Sequence, residues 1–231
     1  MKLIPYFGNL LPKSLKNFLK EKLKILDIYI FFRKILHILF LRLIRIKRFY
    51  SQPKKYVNIG CGLSPSLGEQ WLNADRFYGD IYIDVKKRLP FNDNSLDVVF
   101  HEHLIEHIPY ENALFFCKET FRSLKSGGVV RFATPDFGAY VKGYIKKDLI
   151  TGPVEKGENL ETKQMDVINL IFKQNGEHEY IYDYQTIKKM LENVGFINIK
   201  HCEPNHSRLP CWKYDHWVDD KLTMYIEADK H

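Results

Sequence analysis

This 231-residue sequence predicts an α/β domain on a mostly parallel sheet, set behind a basic and apolar helical arm. Three observations carry that expectation. Strand-like and helix-like runs alternate from residue 56 onward, the pattern of a sheet covered by helices. The first of those strands ends in Gly60-Cys61-Gly62, a turn that lets backbone approach a ligand. The charge is also split: residues 1–55 hold 14 Lys/Arg against two acids and carry +12, whereas the remainder is −5. Hydrophobic residues at 45% and charged residues at 27% exclude a disordered chain.

Residues 1–50 form the arm. Ile25, Leu26, Ile28, Ile30, Phe31 and Phe32 are followed by Ile35, Leu36, Leu39, Phe40, Leu43 and Ile44, with bases between them. A bilayer-spanning helix needs roughly 20 mainly apolar residues. Here Asp27, Arg33, Lys34 and Arg42 interrupt, each at a cost of about 2.5–3.5 kcal/mol at a helix centre, so spanning is not expected. Amphipathic helices lying on an anionic membrane surface are the expectation, with packing on the domain or a dimer contact as the alternatives. The aliphatic content argues against nucleic acid as the partner. No secretory signal is expected. Ser51-Gln52-Pro53-Lys54-Lys55 reads as a hinge, and 56–231 as one domain.

The domain opens with strand Tyr56-Val57-Asn58-Ile59 and the Gly60-x-Gly62 turn, which lacks the third glycine of a dinucleotide fingerprint. Trp71-Leu72-Asn73-Ala74-Asp75 reads as a strand with a carboxylate at its end, where such sheets hold ribose hydroxyls. Ile81-Tyr82-Ile83-Asp84 and Leu96-Asp97-Val98-Val99-Phe100-His101 read as further strands, and 110–124 as an amphipathic helix ended by Gly127-Gly128. A strand over 129–134 leads to Pro135-Asp136. A helix from 184 to 193 and strands at 197–200 and 221–227 close the chain.

These runs, with Leu89-Pro90-Phe91, His103-Leu104-Ile105-Glu106-His107 and Leu124-Lys125-Ser126-Gly127-Gly128, resemble class I S-adenosylmethionine-dependent methyltransferases. More narrowly, they are similar to the bacterial methyltransferases associated with surface-polysaccharide biosynthesis. The likeness covers about 56–136, with a weaker echo to the end. It implies a Rossmann-like, mostly parallel seven-stranded sheet with helices on both faces and an antiparallel closing hairpin. It also implies S-adenosyl-L-methionine as cofactor. Gly60, Cys61 and Gly62 would line its methionine part, Asp75 its ribose, and Asp84 or the backbone of Val85 its adenine, while the region from His101 to His103 would face the sulfonium. Asn58 stands where the family has an acid; its amide can hydrogen-bond the cofactor but adds no charge.

Methyl transfer to a hydroxyl needs close positioning and a base near neutral pKa, which suits histidine. His103, just past a strand end, is the leading candidate. Asp136 and His178 are expected on the acceptor side. His201, Cys202, His206, Cys211 and His216 do not have the paired spacing of a zinc site, so no metal is expected there. Trp212 could stack on a sugar or pack in the core. The four cysteines read as reduced thiols of a cytoplasmic protein. The expected function is O-methylation of a small-molecule or lipid-linked saccharide acceptor at the inner membrane face. A nucleotide-sugar or dinucleotide enzyme, or a non-catalytic membrane-tethered scaffold, are the alternatives.

Overall fold

The computed structural model describes residues 39–63, 67–147, 149, 164–209, 212–216 and 221–231. The chain divides into two units, Met1–Ile44 and Arg45–His231. The second unit therefore begins before the hinge expected at 51–55. The reason is local: residues 39–51 are helical (α1), Phe49 on that helix is buried in the main core, and Arg45 and Arg48 pair with Asp80 and Glu69. Proline 53 ends the helix but not the contacts. Most of the expected arm lies outside the described residues, among which no helix is long and apolar enough to cross a membrane.

Seven strands form one sheet in the order β3-β2-β1-β4-β5-β7-β6. They are β1 Tyr56–Ile59, β2 Trp71–Asp75, β3 Ile81–Tyr82, β4 Leu96–Glu102, β5 Leu124–Pro135, β6 Phe196–Cys202 and β7 Thr223–Lys230. All pairings from β3 to β5 are parallel, and β7 runs antiparallel between β5 and β6. This is the Rossmann-like arrangement, with its closing antiparallel hairpin, that the sequence resemblance implies.

Alternation within the strands sends side chains to two different covers. Val57, Leu72, Val99, Val130 and Ile226 join the core under α2 (Tyr110–Ser123) and α5 (Tyr184–Val194), which supplies Ile187, Met190 and Leu191. On the opposite face Trp71, Val98 and Phe100 pack with Trp212 from the segment after β6. Two further helices, α3 (Phe137–Lys146) and α4 (Gln164–Lys173), share a smaller core around Tyr140, Val167 and Ile171.

Helix ends follow local chemistry. The carboxylates of Asp136 and Asp183 cap α3 and α5 by accepting from Gly138 N–H (2.9 Å) and Thr186 N–H (2.8 Å). Gly195, at φ +110°, ends α5 in the left-handed region that favours glycine. One expected boundary moves: α2 stops at Ser123, and Gly127-Gly128 lies inside β5 beside a bulge against β4. A Cβ on Gly128 would stand 2.9 Å from the Lys125 carbonyl oxygen, so the pair serves a tight strand entry rather than a helix end.

Candidate active site

The carboxyl ends of β1, β2, β4 and β5 gather the residues of interest, which is where open parallel sheets bind ligands. After β1 the chain turns through Gly60 (φ +70°) and Gly62 (φ +53°). Gly60 N–H donates to the Ala74 carbonyl at 2.8 Å, and a Cβ there would press to 2.9 Å from Leu104. Gly62 N–H donates to Asp75 Oδ2 at 3.0 Å. The glycine turn and the carboxylate at the end of β2 are thus one structure. Asp75 Oδ1 accepts from Phe77 N–H (2.7 Å) and Tyr78 N–H (3.0 Å). A carboxylate offers about four acceptor directions, so three fixed amides orient it and still leave capacity for a ribose hydroxyl. This geometry fits an adenosyl cofactor.

The other expected cofactor residues divide. Cys61 is buried in the turn, and Asp84 forms its own turn, accepting from Lys86 N–H at 3.1 Å beside Lys87. Val85 packs partly against the core. The Asn58 amide is directed along the sheet, donating to Asn73 Oδ1 at 3.2 Å. Asn73 continues to Asp80, which Arg45 pairs at 3.1 Å. Asn58 therefore begins a buried polar chain under the turn. His101 is turned into the core, stacked on Phe132 at 4.6 Å and edge-on to Phe116 at 5.2 Å. Burial pushes its pKa down to about 3, so the ring is neutral packing.

Beyond β4 the chain bends at His103, whose φ of +46° is uncommon for a residue with a Cβ. His103 Nδ1 lies 2.9 Å from Glu106 Oε1. Glu106 is only 1% exposed, and its Oε2 accepts from Thr134 Oγ1 at 3.1 Å. The Glu106 carbonyl accepts from Glu179 N–H (2.8 Å) and Tyr180 N–H (3.2 Å), which brings His178 alongside. His178 and His107 meet edge to face with centroids 4.8 Å apart. Burial holds the His178 pKa below the ordinary imidazole value, outweighing the Ile171 carbonyl that favours its charged form. His103 and His178 are therefore brought together around Glu106. Asp136 is engaged differently, its Oδ1 serving as the α3 cap.

The sequence signal missed Glu106 and Thr134 as partners because they meet across 28 residues. The His/Cys run near the end of the chain does not converge among the described residues. His201 stacks on Tyr184, His206 Nδ1 bonds the Pro204 carbonyl and His216 pairs with Glu102; Cys211 lies outside the described residues. Trp212 is a core residue, edge-on to Phe100 at 5.3 Å, with its indole N–H on Asp215 Oδ1 at 2.9 Å.

Comparison with known proteins agrees with this architecture. Residues 58–132 match a family described as a methyltransferase domain. This stretch marks the domain as a methyltransferase domain with S-adenosylmethionine as its cofactor, and it contains the glycine turn, Asp75 and the His103–Glu106 pair. No curated protein matches the sequence. Among solved structures, an S-adenosylmethionine-dependent methyltransferase from Archaeoglobus fulgidus aligns at TM-score 0.48 and 17% identity, covering 82% of this chain and 92% of that one. A possible histamine N-methyltransferase from Thermotoga maritima aligns at 0.46 and 14%, covering 88% and 96%. Phosphoethanolamine N-methyltransferase 2 of Haemonchus contortus, in complex with phosphomonomethylethanolamine and S-adenosylhomocysteine, aligns at 0.46 and 15%. There the match covers 82% of this chain and 52% of the other.

Proposed function

We propose that this methyltransferase O-methylates a saccharide hydroxyl, on a free or lipid-linked glycan precursor, at the cytoplasmic face of the membrane. The observation that carries the hydroxyl reading is the His103–Glu106 pair at the end of β4. Bound S-adenosylmethionine supplies an electrophilic methyl group on a sulfonium. The chain's own part is to hold the reactants and take a proton. Asp75 and the amides of the glycine turn fix the adenosyl end. Glu106, anchored by Thr134, accepts the Nδ1 proton of His103 and so makes Nε2 the basic nitrogen, as a carboxylate does for an imidazole base. His103 would take the proton of the acceptor hydroxyl, whose oxygen would receive the methyl group that the bound cofactor supplies.

The membrane placement is supported by the +12 charge over residues 1–55 and their aliphatic content, since each base near an anionic surface contributes about 1 kcal/mol. The saccharide is supported by the sequence resemblance alone.

Incubating the full chain with methyl-labelled cofactor and a bacterial lipid-linked saccharide fraction is expected to label the saccharide. The His103→Gln variant should lose at least 100-fold in turnover while its S-adenosylhomocysteine affinity stays within twofold. Label appearing only on amines, or an active H103Q enzyme, defeats the hydroxyl mechanism. A chain lacking residues 1–44, which keeps Phe49 in the core, should bind S-adenosylhomocysteine yet fail to co-sediment with anionic liposomes. Co-sedimentation of that chain would remove the arm as the membrane element.

A further inference from the structure

The residues around Glu106 do more than the proton transfer requires. Only His103 is needed beside that carboxylate, yet His107 and His178 converge on it too. One donor atom from each of Glu106, His107 and His178 lies within 4.8 Å of the others. These residues come from the short helical turn after β4 and from the polar run before α5, joined by the Glu106 carbonyl accepting from Glu179 and Tyr180 N–H.

The Nδ1 hydrogen bonds of the two rings fix their tautomers. His107 Nδ1 sits 3.1 Å from the Glu177 carbonyl oxygen, and His178 Nδ1 bonds the Ile171 carbonyl oxygen. A carbonyl can only accept, so in both rings Nδ1 carries the proton and Nε2 carries the lone pair. Histidine ligands of metal ions are oriented in this way, by giving the other ring N–H to a backbone carbonyl or carboxylate. Each Glu106 oxygen also keeps acceptor capacity beyond its single bond to His103 or Thr134. The carboxylate is 1% exposed and its described hydrogen bonds come from no lysine or arginine. A buried anion without a fixed cationic partner is the setting in which a bound cation stabilises most.

We propose that Glu106, His107 and His178 bind a divalent first-row transition-metal ion, with zinc the best match to two imidazoles and one carboxylate. Donors in a tetrahedral zinc shell stand roughly 3.4 Å apart, so the three side chains close on the ion by small torsional adjustments. Three protein donors leave the fourth position for water or an acceptor oxygen. The site borders His103 through Glu106, but binding of the ion does not depend on which acceptor is methylated.

The test uses the full chain, stripped with a chelator and titrated with Zn²⁺ by calorimetry and with Co²⁺ by visible absorption. One equivalent of each is expected to bind, with the intense d–d bands of a four-coordinate cobalt site. His107→Ala and His178→Ala should each weaken binding at least tenfold while S-adenosylhomocysteine still binds, which shows that the domain is folded. Should H178A lose S-adenosylhomocysteine as well, H107A decides, because that ring is only partly buried and its loss removes no core packing. His201→Ala and His206→Ala should leave the metal affinity unchanged. Wild-type protein that takes up no stoichiometric metal, or H107A protein that binds as tightly as wild type, overturns the proposal. Neither result would touch the hydroxyl reading, which rests on labelled saccharide and H103Q.

Discussion

Arg131 and Glu106 are both almost wholly shielded from water, at 0% and 1% exposure, yet their surroundings differ in kind. Arg131, central in β5, gives Nε to Asp215 Oδ1 at 3.0 Å and Nη2 to Asp215 Oδ2, and it reaches Glu227 Oε2 at 3.3 Å. Carbonyls of Glu203 and His206 take its remaining donors. Burial opposes its charge, but the Asp215 hydrogen bond and charge outweigh that and raise its pKa. Asp215 in turn holds Asn205 N–H and the Trp212 indole, so the group ties the segment after β6 onto the sheet. Around Glu106 the partners are two imidazoles, one hydroxyl and a third imidazole, none with a permanent charge. The first cluster is electrostatically closed and serves the fold. The second holds no fixed cation and lies just past the carboxyl end of β4. Asp75 shows a third solution, a carboxylate balanced by backbone N–H groups alone.

Breaking the closed cluster should have the largest effect. Arg131→Met leaves Asp215 and Glu227 buried without their cation, and urea denaturation should show a loss of about 3–5 kcal/mol. A loss under 1 kcal/mol would mean that the cluster is not the tie inferred here. Asp75→Ala should weaken S-adenosylhomocysteine binding by about 1.5–3 kcal/mol, roughly 10- to 150-fold, in calorimetry. Unchanged affinity would separate Asp75 from the ribose. Thr134→Val removes one donor from Glu106 and should cost about 1–2 kcal/mol of stability, clearly less than R131M, because the imidazole remains. Equal losses would erase the contrast between the two clusters.

The smallest effect belongs to a partly shielded pair near the end of α2. The Arg122 hydrogen bond, helped by Leu89 N–H, holds the Glu119 carboxyl below the usual carboxylate value. A depressed folded pKa contributes stability that is present above about pH 4.5 and lost as pH falls through the folded value. Glu119→Gln should therefore cost about 0.5–1.5 kcal/mol at pH 7 and progressively less in acid. A difference that grows as the pH falls would contradict this sign.

Much of the site was legible because its parts are short and local. Gly60 and Gly62 mark a turn through their positive φ, Asp75 ends an apolar run, and His103 follows the strand that contains Val98 and Val99. The placements that the sequence did not reveal depend on facing and on distant partners. His101 and Phe100 are neighbours in sequence, yet alternation puts one under α2 and the other against Trp212. Asp136 caps, through Oδ1, a helix that the polar pattern did not announce. Trp212 enters the core because Arg131, 84 residues from Asp215, draws its segment inward.

By itself the sequence determined the order of the strands with α2 and α5 between them, the place of the glycine turn and the uneven charge, since periodicity, glycine and side-chain charge act within a few residues. Tertiary structure alone decided which polar groups meet. Glu106 joins Thr134, His107 and His178 only when β4, β5 and the run before α5 lie side by side. Burial then makes those meetings matter, because a shielded carboxylate must find its compensation among whatever the fold brings to it.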